Sequence, residues 1–89
     1  MSAINEIMSI LQEECAEVIQ AVSKINRFGL DNHKPGKPKT NKEHLEEELG
    51  DLLAMIDLLQ SNGVVSLESL ETAKNAKFEK LKKWSNIYE

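Results

Sequence analysis

The sequence predicts an all-α fold: two long antiparallel helices and a shorter third, forming a bundle completed by oligomerisation. Apolar residues recur at three- and four-residue steps through most of the chain, and no stretch alternates with the two-residue period of a strand. Glycine and proline gather between residues 29 and 38, and an Asn-Gly pair follows at 62–63. The chain has 89 residues, enough for one domain spanning 1–89. A domain this small buries a limited core, and association with copies of itself is one way to add to it.

The first helix is expected from about Ser2 to Ile25. Ile4, Met8, Leu11, Cys15, Val18, Val22 and Ile25 form a continuous seam on it. The seam runs for more than three heptads, which implies a partner helix. Cys15 is the only cysteine, so no intramolecular disulfide forms, and its place in the seam reads as a small buried hydrophobe. Residues 27–40 are expected to be a flexible loop, because Gly29, Pro35, Gly36 and Pro38 forbid a regular helix. It carries Arg27, Lys34, Lys37 and Lys39 against one acid, Asp31. A loop this long in so small a domain is usually functional or disordered.

Thr40 and Glu43 form a capping-box pattern, which starts the second helix near residue 41. Leu45, Leu49, Leu52, Leu53, Ile56 and Leu59 make its apolar face, and Asn62-Gly63 ends it. Ser66 caps the third helix, with Glu68 and Glu71 early and lysines late, as the helix dipole favours. Leu67, Leu70, Phe78 and Leu81 form its stripe, and Trp84, Ile87 and Tyr88 are expected to dock on an apolar surface.

The net charge of −4 and pI near 5.2 argue against a general nucleic-acid binder. No apolar run reaches the roughly 20 residues of a membrane span. The start of the chain has neither a basic nor an apolar signal segment. The expectation is a soluble cytoplasmic protein.

Two acidic clusters stand out: Glu13-Glu14-Cys15-Ala16-Glu17 and Glu46-Glu47-Glu48-Leu49-Gly50-Asp51. Within them Glu14 and Glu17, and Glu48 and Asp51, are spaced i, i+3, which stacks each pair on one helix face. Four carboxylates from two neighbouring helices make an all-oxygen site of the kind that Mg²⁺ or Mn²⁺ prefers. At about 100° per residue, Glu48 lies roughly 50° and Glu14 roughly 60° from the centres of their apolar faces. Glu46 points well away. Carboxylates at the edge of a buried seam repel one another unless a cation sits between them. The alternative is a solvated acidic surface, and spacing leaves both open. Gly50 lies between the two presumed ligands at a cost of roughly 1 kcal/mol against alanine. Close approach of a metal or ligand would explain it, and so would tight helix–helix packing.

On the third helix Lys74 falls near the middle of the apolar stripe, flanked by Lys77 and Asn75. A lysine there either snorkels to water or reaches over the acids to bind phosphate. His44 is spaced to share the face of Glu48, although a histidine in the first turn of a helix is more often exposed, and His33 in the loop is within reach of a substrate only if the loop contacts one. Neither cluster has the Glu-x-x-His pairs of ferritin-like di-iron sites, which counts against redox iron chemistry.

The Glu14-x-x-Glu17 and Glu48-x-x-Asp51 pairs resemble the signature of the MazG-like superfamily. The strings 11–17 and 47–53 look like its two motif blocks, and the likeness covers roughly residues 8 to 83. The segment from Lys24 to Lys42, with Arg27-Phe28-Gly29-Leu30-Asp31, looks most like short single-domain members of bacteria and their phages. The resemblance implies hydrolysis of a nucleoside triphosphate to the monophosphate and pyrophosphate. It further implies Mg²⁺ dependence, with Glu14, Glu17, Glu48 and Asp51 as ligands, and a dimer or dimer of dimers of interlocked helices. On this reading Glu13 or Glu47 orients the attacking water. Lys74, Asn75 and Lys77 bind substrate, with Asn26, Arg27 and Asp31 from the first helix end and loop. Ile10 and Phe28 join Asn26 and Asp31 in choosing the base, and likeness to phage proteins raises a (d)GTP-selective version. The competing reading is a non-catalytic helical interaction module.

Overall fold

The computed structural model describes residues 2–89 and consists of three helices: α1 (Ala3–Phe28), α2 (Asn41–Ser61) and α3 (Leu67–Trp84). The all-α expectation holds, and no strand occurs among the described residues. Each helix begins at a side-chain cap. The Ser2 hydroxyl accepts from the Asn5 N–H, and Ser66 accepts from Ser69. At Thr40 the full capping box forms, with the Glu43 carboxylate returning to the Thr40 N–H.

α1 runs three residues beyond its expected end, so Arg27 and Phe28 belong to its last turn and not to the loop. No glycine or proline interrupts the chain before Gly29, and a basic residue in the last turn complements the dipole. Gly29, at φ 91, ends the helix and donates to the Ile25 carbonyl at 2.8 Å.

α1 and α2 pack as an antiparallel hairpin. Its turn end is fastened by backbone bonds from Asn41 to Asn32 and from Lys42 to Leu30, at 2.8 and 2.9 Å. The Asn41 side chain adds a bond to the Gly29 carbonyl. Ala21 is the most buried residue of α1, 1% exposed, and its small side chain lets α2 come close. Ile7 and Leu59 close the contact at the other end.

The buried face of α1 is rotated from the expected seam. Ile7 and Ala21 are buried and Ile10, Glu14, Glu17 and Lys24 half-buried, with half-buried Leu11, Val18 and Ile25 along the edge. Ile4, Met8, Cys15 and Val22 are exposed. Cys15 is therefore not a buried hydrophobe in the single chain. The apolar pattern of α1 is wide enough for two partners, and α2 covers one side of it.

α3 makes no comparable packing on the hairpin and contains no buried residue. The molecule measures 43 × 41 × 14 Å. Its thickness is little more than one helix diameter of about 10–12 Å. Among the described residues no second layer covers the apolar faces, and Ile7, Ala21 and Leu59 are the buried apolar residues. Trp84 is 76% exposed, and Ile87 and Tyr88 are exposed too, so the expected docking of these residues does not occur within the chain. Among the described residues no helix is long and apolar enough to cross a membrane.

Candidate metal centre

The hairpin brings the two acidic clusters together. Glu14 on α1 and Glu48 and Asp51 on α2 each offer an oxygen, and these oxygens lie within 4.8 Å of one another. Glu48 is 7% exposed, at the middle of a face whose neighbours are Leu45, Leu52 and Leu59. The helical period puts residues 45, 48, 52 and 59 on one side, so burying the leucines buries the carboxylate with them. Glu17 is half-buried one turn along α1 and stands outside the three-oxygen group, though its charge acts on Glu14.

Glu14 carries the electrostatic cost. Burial pushes its carboxyl above the usual carboxylate range, and repulsion from Asp51, Glu48, Glu17 and Glu13 pushes the same way. Its Oε2 is buried without a hydrogen-bond partner. Such atoms are rare, because a polar atom taken from water without a partner leaves its lost hydrogen bonds uncompensated. Among the described residues no lysine or arginine pairs with any of the three carboxylates. The one basic contact is His44 Nε2, 3.2 Å from Glu48 Oε1. An all-oxygen donor set with an orphaned buried carboxylate oxygen fits a hard divalent cation.

The other expected site residues are placed as follows. Glu13 is exposed, and its charge reaches Glu14. Glu47 is tied to Lys39 by an ion pair that holds its carboxyl below the usual range. Asn26, Arg27 and Asp31 gather at the turn end of the hairpin, away from the acidic centre by several turns of α1. Lys74, Asn75 and Lys77 are exposed on α3, which the single chain does not bring over the acids, and Lys74 pairs with Glu71 of its own helix at 3.0 Å. Gly50 has open space where a Cβ would sit, so the tight helix–helix packing considered for it is absent within the chain. Sequence reasoning passed over Lys24, which lines two clefts at the turn end. Its charge beside Arg27 and the lysines of the following loop was the available signal.

The family model for the MazG nucleotide pyrophosphohydrolase domain matches residues 3–85, nearly the whole chain. No curated protein and no solved structure matches the chain.

Proposed function

This chain belongs to the MazG nucleotide pyrophosphohydrolase family, and on that premise we propose that it cleaves nucleoside triphosphates to the monophosphate and pyrophosphate using Mg²⁺, with Mn²⁺ as a substitute. The observation that carries this reading is the unpartnered Glu14 Oε2, buried beside two further carboxylates on a second helix. Glu14, Glu48 and Asp51 would hold the metal, with Glu17 as a fourth carboxylate from the next turn. When bound, divalent ions offset phosphate charge and lower the pKa of a water molecule.

The protein's own groups do the rest. His44 fixes the Glu48 carboxylate from its Nε2 side. Glu13 is the better candidate to take the proton from the attacking water, because Glu47 is engaged by Lys39. As the water oxygen bonds to the phosphorus on one side of the α–β bridge, the bond from that phosphorus to the bridging oxygen breaks, giving the monophosphate and pyrophosphate. Ile10, Asn26, Phe28 and Asp31 set base preference, including a (d)GTP-selective version, and Arg27 beside them contacts the substrate. Lys74, Asn75 and Lys77 bind phosphates of a site in a neighbouring copy, since α3 stands apart from its own acids. The working form is a homodimer or a dimer of dimers.

A panel of ribo- and deoxyribonucleoside triphosphates, assayed for pyrophosphate release, tests the reading. Activity is expected with Mg²⁺ or Mn²⁺ and is lost in EDTA. Equal rates on all bases remove the (d)GTP-selective version. Glu48→Gln is expected to abolish both metal binding and turnover while the helical content stays unchanged. Unchanged metal affinity in that variant, read by calorimetry, returns the chain to the interaction-module reading.

A further inference from the structure

The turn end of the hairpin holds two adjoining clefts of about 500 and 240 Å³. Both are lined by Lys24, Lys34 and Asn41, which makes them one groove. Arg27 lines the wider part, and Lys37 and Lys39 the narrower. No carboxylate lines either part. Lys39 is engaged by Glu47, but Lys24, Arg27, Lys34 and Lys37 have no ion-pair partner among the described residues. Four uncompensated cations around one groove are notable in a chain of net charge −4. Their mutual repulsion is relieved by an anion.

The groove has a fixed frame. The Asn41 side chain bonds to the Gly29 carbonyl at 2.9 Å, and the Asn41 N–H to the Asn32 carbonyl at 2.8 Å, so the loop is fastened to the start of α2. The wider part has an aromatic wall, Phe28, with the Arg27 guanidinium 4.8 Å over its ring. The narrower part ends at His44, the residue that touches Glu48. The groove therefore leads to the acidic centre while being opposite to it in charge.

We infer that this groove is a binding site for a condensed phosphate, the phosphate chain of a nucleotide or free pyrophosphate, formed by Lys24, Arg27, Lys34 and Lys37 and independent of the metal. Several clustered cations suit an anion with multiple negative charges better than a single carboxylate, and lysine and arginine together supply both point charges and a planar fork. The choice of a condensed phosphate rests on the pyrophosphohydrolase reading, whereas the existence of an anion site rests on the groove alone.

The test is calorimetric titration of sodium pyrophosphate into the full chain in EDTA, where no metal-dependent binding or turnover occurs. Saturable binding is expected, weakening steeply with salt. The exposed double substitution Lys34→Ala/Lys37→Ala, and separately Lys24→Ala, are each expected to weaken it by roughly tenfold or more, the loss of a charge-assisted bond. Glu48→Gln is expected to retain it, so failure of the metal reading leaves this result standing. Competition by a non-hydrolysable nucleoside triphosphate assigns the site to the substrate's own phosphate chain. Pyrophosphate binding without such competition assigns it to the free anion. Absence of binding at millimolar pyrophosphate, or equal affinity in folded lysine variants verified by circular dichroism, overturns the inference.

Discussion

The α1–α2 hairpin and α3 are built from similar amphipathic sequence and reach opposite outcomes. The hairpin buries Ala21, Leu59 and a carboxylate, Glu48, between its helices, while α3 buries nothing. The hairpin has the short-range devices that close it: the Asn41 bonds at its turn and the capping box at Thr40. α3 follows a turn, with Gly63 at φ 74, and leaves on a course that takes it off the hairpin. Its Leu67 and Phe78 stay exposed, as do Met8 and Val22 of α1 and Leu53 of α2. Apolar faces on both parts of a thin molecule are the usual mark of an interface, and a two-fold copy is the commonest way to cover them. The difference teaches that the hairpin by itself assembles the cluster of Glu14, Glu48 and Asp51, whereas α3 holds Lys74, Asn75 and Lys77 exposed and apart from it in the single chain.

The sharpest way to break this contrast is subunit complementation. Glu48→Gln removes the hairpin's contribution and Lys74→Ala/Lys77→Ala removes that of α3. Each variant alone is expected to lose nearly all turnover. If α3 serves a neighbour's hairpin, mixing and refolding the two in equal amounts restores about a quarter of wild-type activity, because half the dimers are mixed and one of their two sites is intact. No recovery in the mixture places the lysines and carboxylates of a site in the same chain.

Phe78→Asp examines the apolar side of α3. In a single chain an exposed phenylalanine is replaced at little cost. In a symmetric dimer each copy loses about 1.5–3 kcal/mol of burial and places a charge in the interface. The expected outcome is a monomeric mass by light scattering at micromolar concentration and loss of the concentration dependence of Tm. A monomeric wild-type chain with full activity would show the assembly to be wrong.

Much of the hairpin was legible in the sequence because its signals are local. Thr40 and Glu43 located the start of α2, and the i, i+3 spacing of Glu48 and Asp51 located one side of the carboxylate cluster. The rotation of the α1 face was not legible, because Ile4, Met8 and Val22 are as apolar as Ile7 and Ala21. Only the approach of α2 selects between them, and that approach favours small Ala21. The exposure of Cys15, Trp84, Ile87 and Tyr88 was missed for the same reason: a residue's hydrophobicity states that it prefers cover, not that its own chain supplies it. Glu17 matched the spacing rule equally well but lies outside the three-oxygen group, since a shared helix face does not fix where the opposite helix crosses it.

Glu14→Gln measures the electrostatic load inside the hairpin. The folded carboxyl has a raised pKa, so folding favours its protonated form. Its contribution to stability is fully present at pH below the unfolded carboxylate value and is lost as pH rises through the raised folded value. Glu43, held by Thr40, and Glu47, held by Lys39, have lowered values and act in the opposite sense, losing stability as pH falls. In EDTA at neutral pH the glutamine variant is therefore expected to melt above the wild type. The gap should close below about pH 4, where the wild-type carboxyl is protonated as well. Adding Mg²⁺ should raise the Tm of the wild type and leave that of the variant nearly unchanged. A variant that melts below the wild type in EDTA would show that Glu14 is compensated by some partner other than a metal.

The smallest expected effect is at Gly50, and it sharpens the boundary between what one chain does and what an assembly does. A Cβ built there meets nothing within 4 Å, and the residue lies inside α2 between Glu48 and Asp51. Replacing a helical glycine with alanine stabilises a helix by about 1 kcal/mol when nothing obstructs it. For a domain of this size that corresponds to a rise in Tm of about 4–8 °C. Gly50→Ala is accordingly expected to raise Tm and to retain Mg²⁺ affinity, because its methyl group points into open space and neither flanking carboxylate needs to move. The same measurement on the assembled protein carries the information about partners. A stabilised chain with intact affinity and mass shows that Gly50 stands clear of any neighbouring helix. A loss of dimer mass or of turnover, with the helical content preserved, would show that a second copy or the substrate's phosphates come within contact of the α2 backbone at this point. In that case the glycine is required by the assembly, and the open space beside it belongs to the single chain alone.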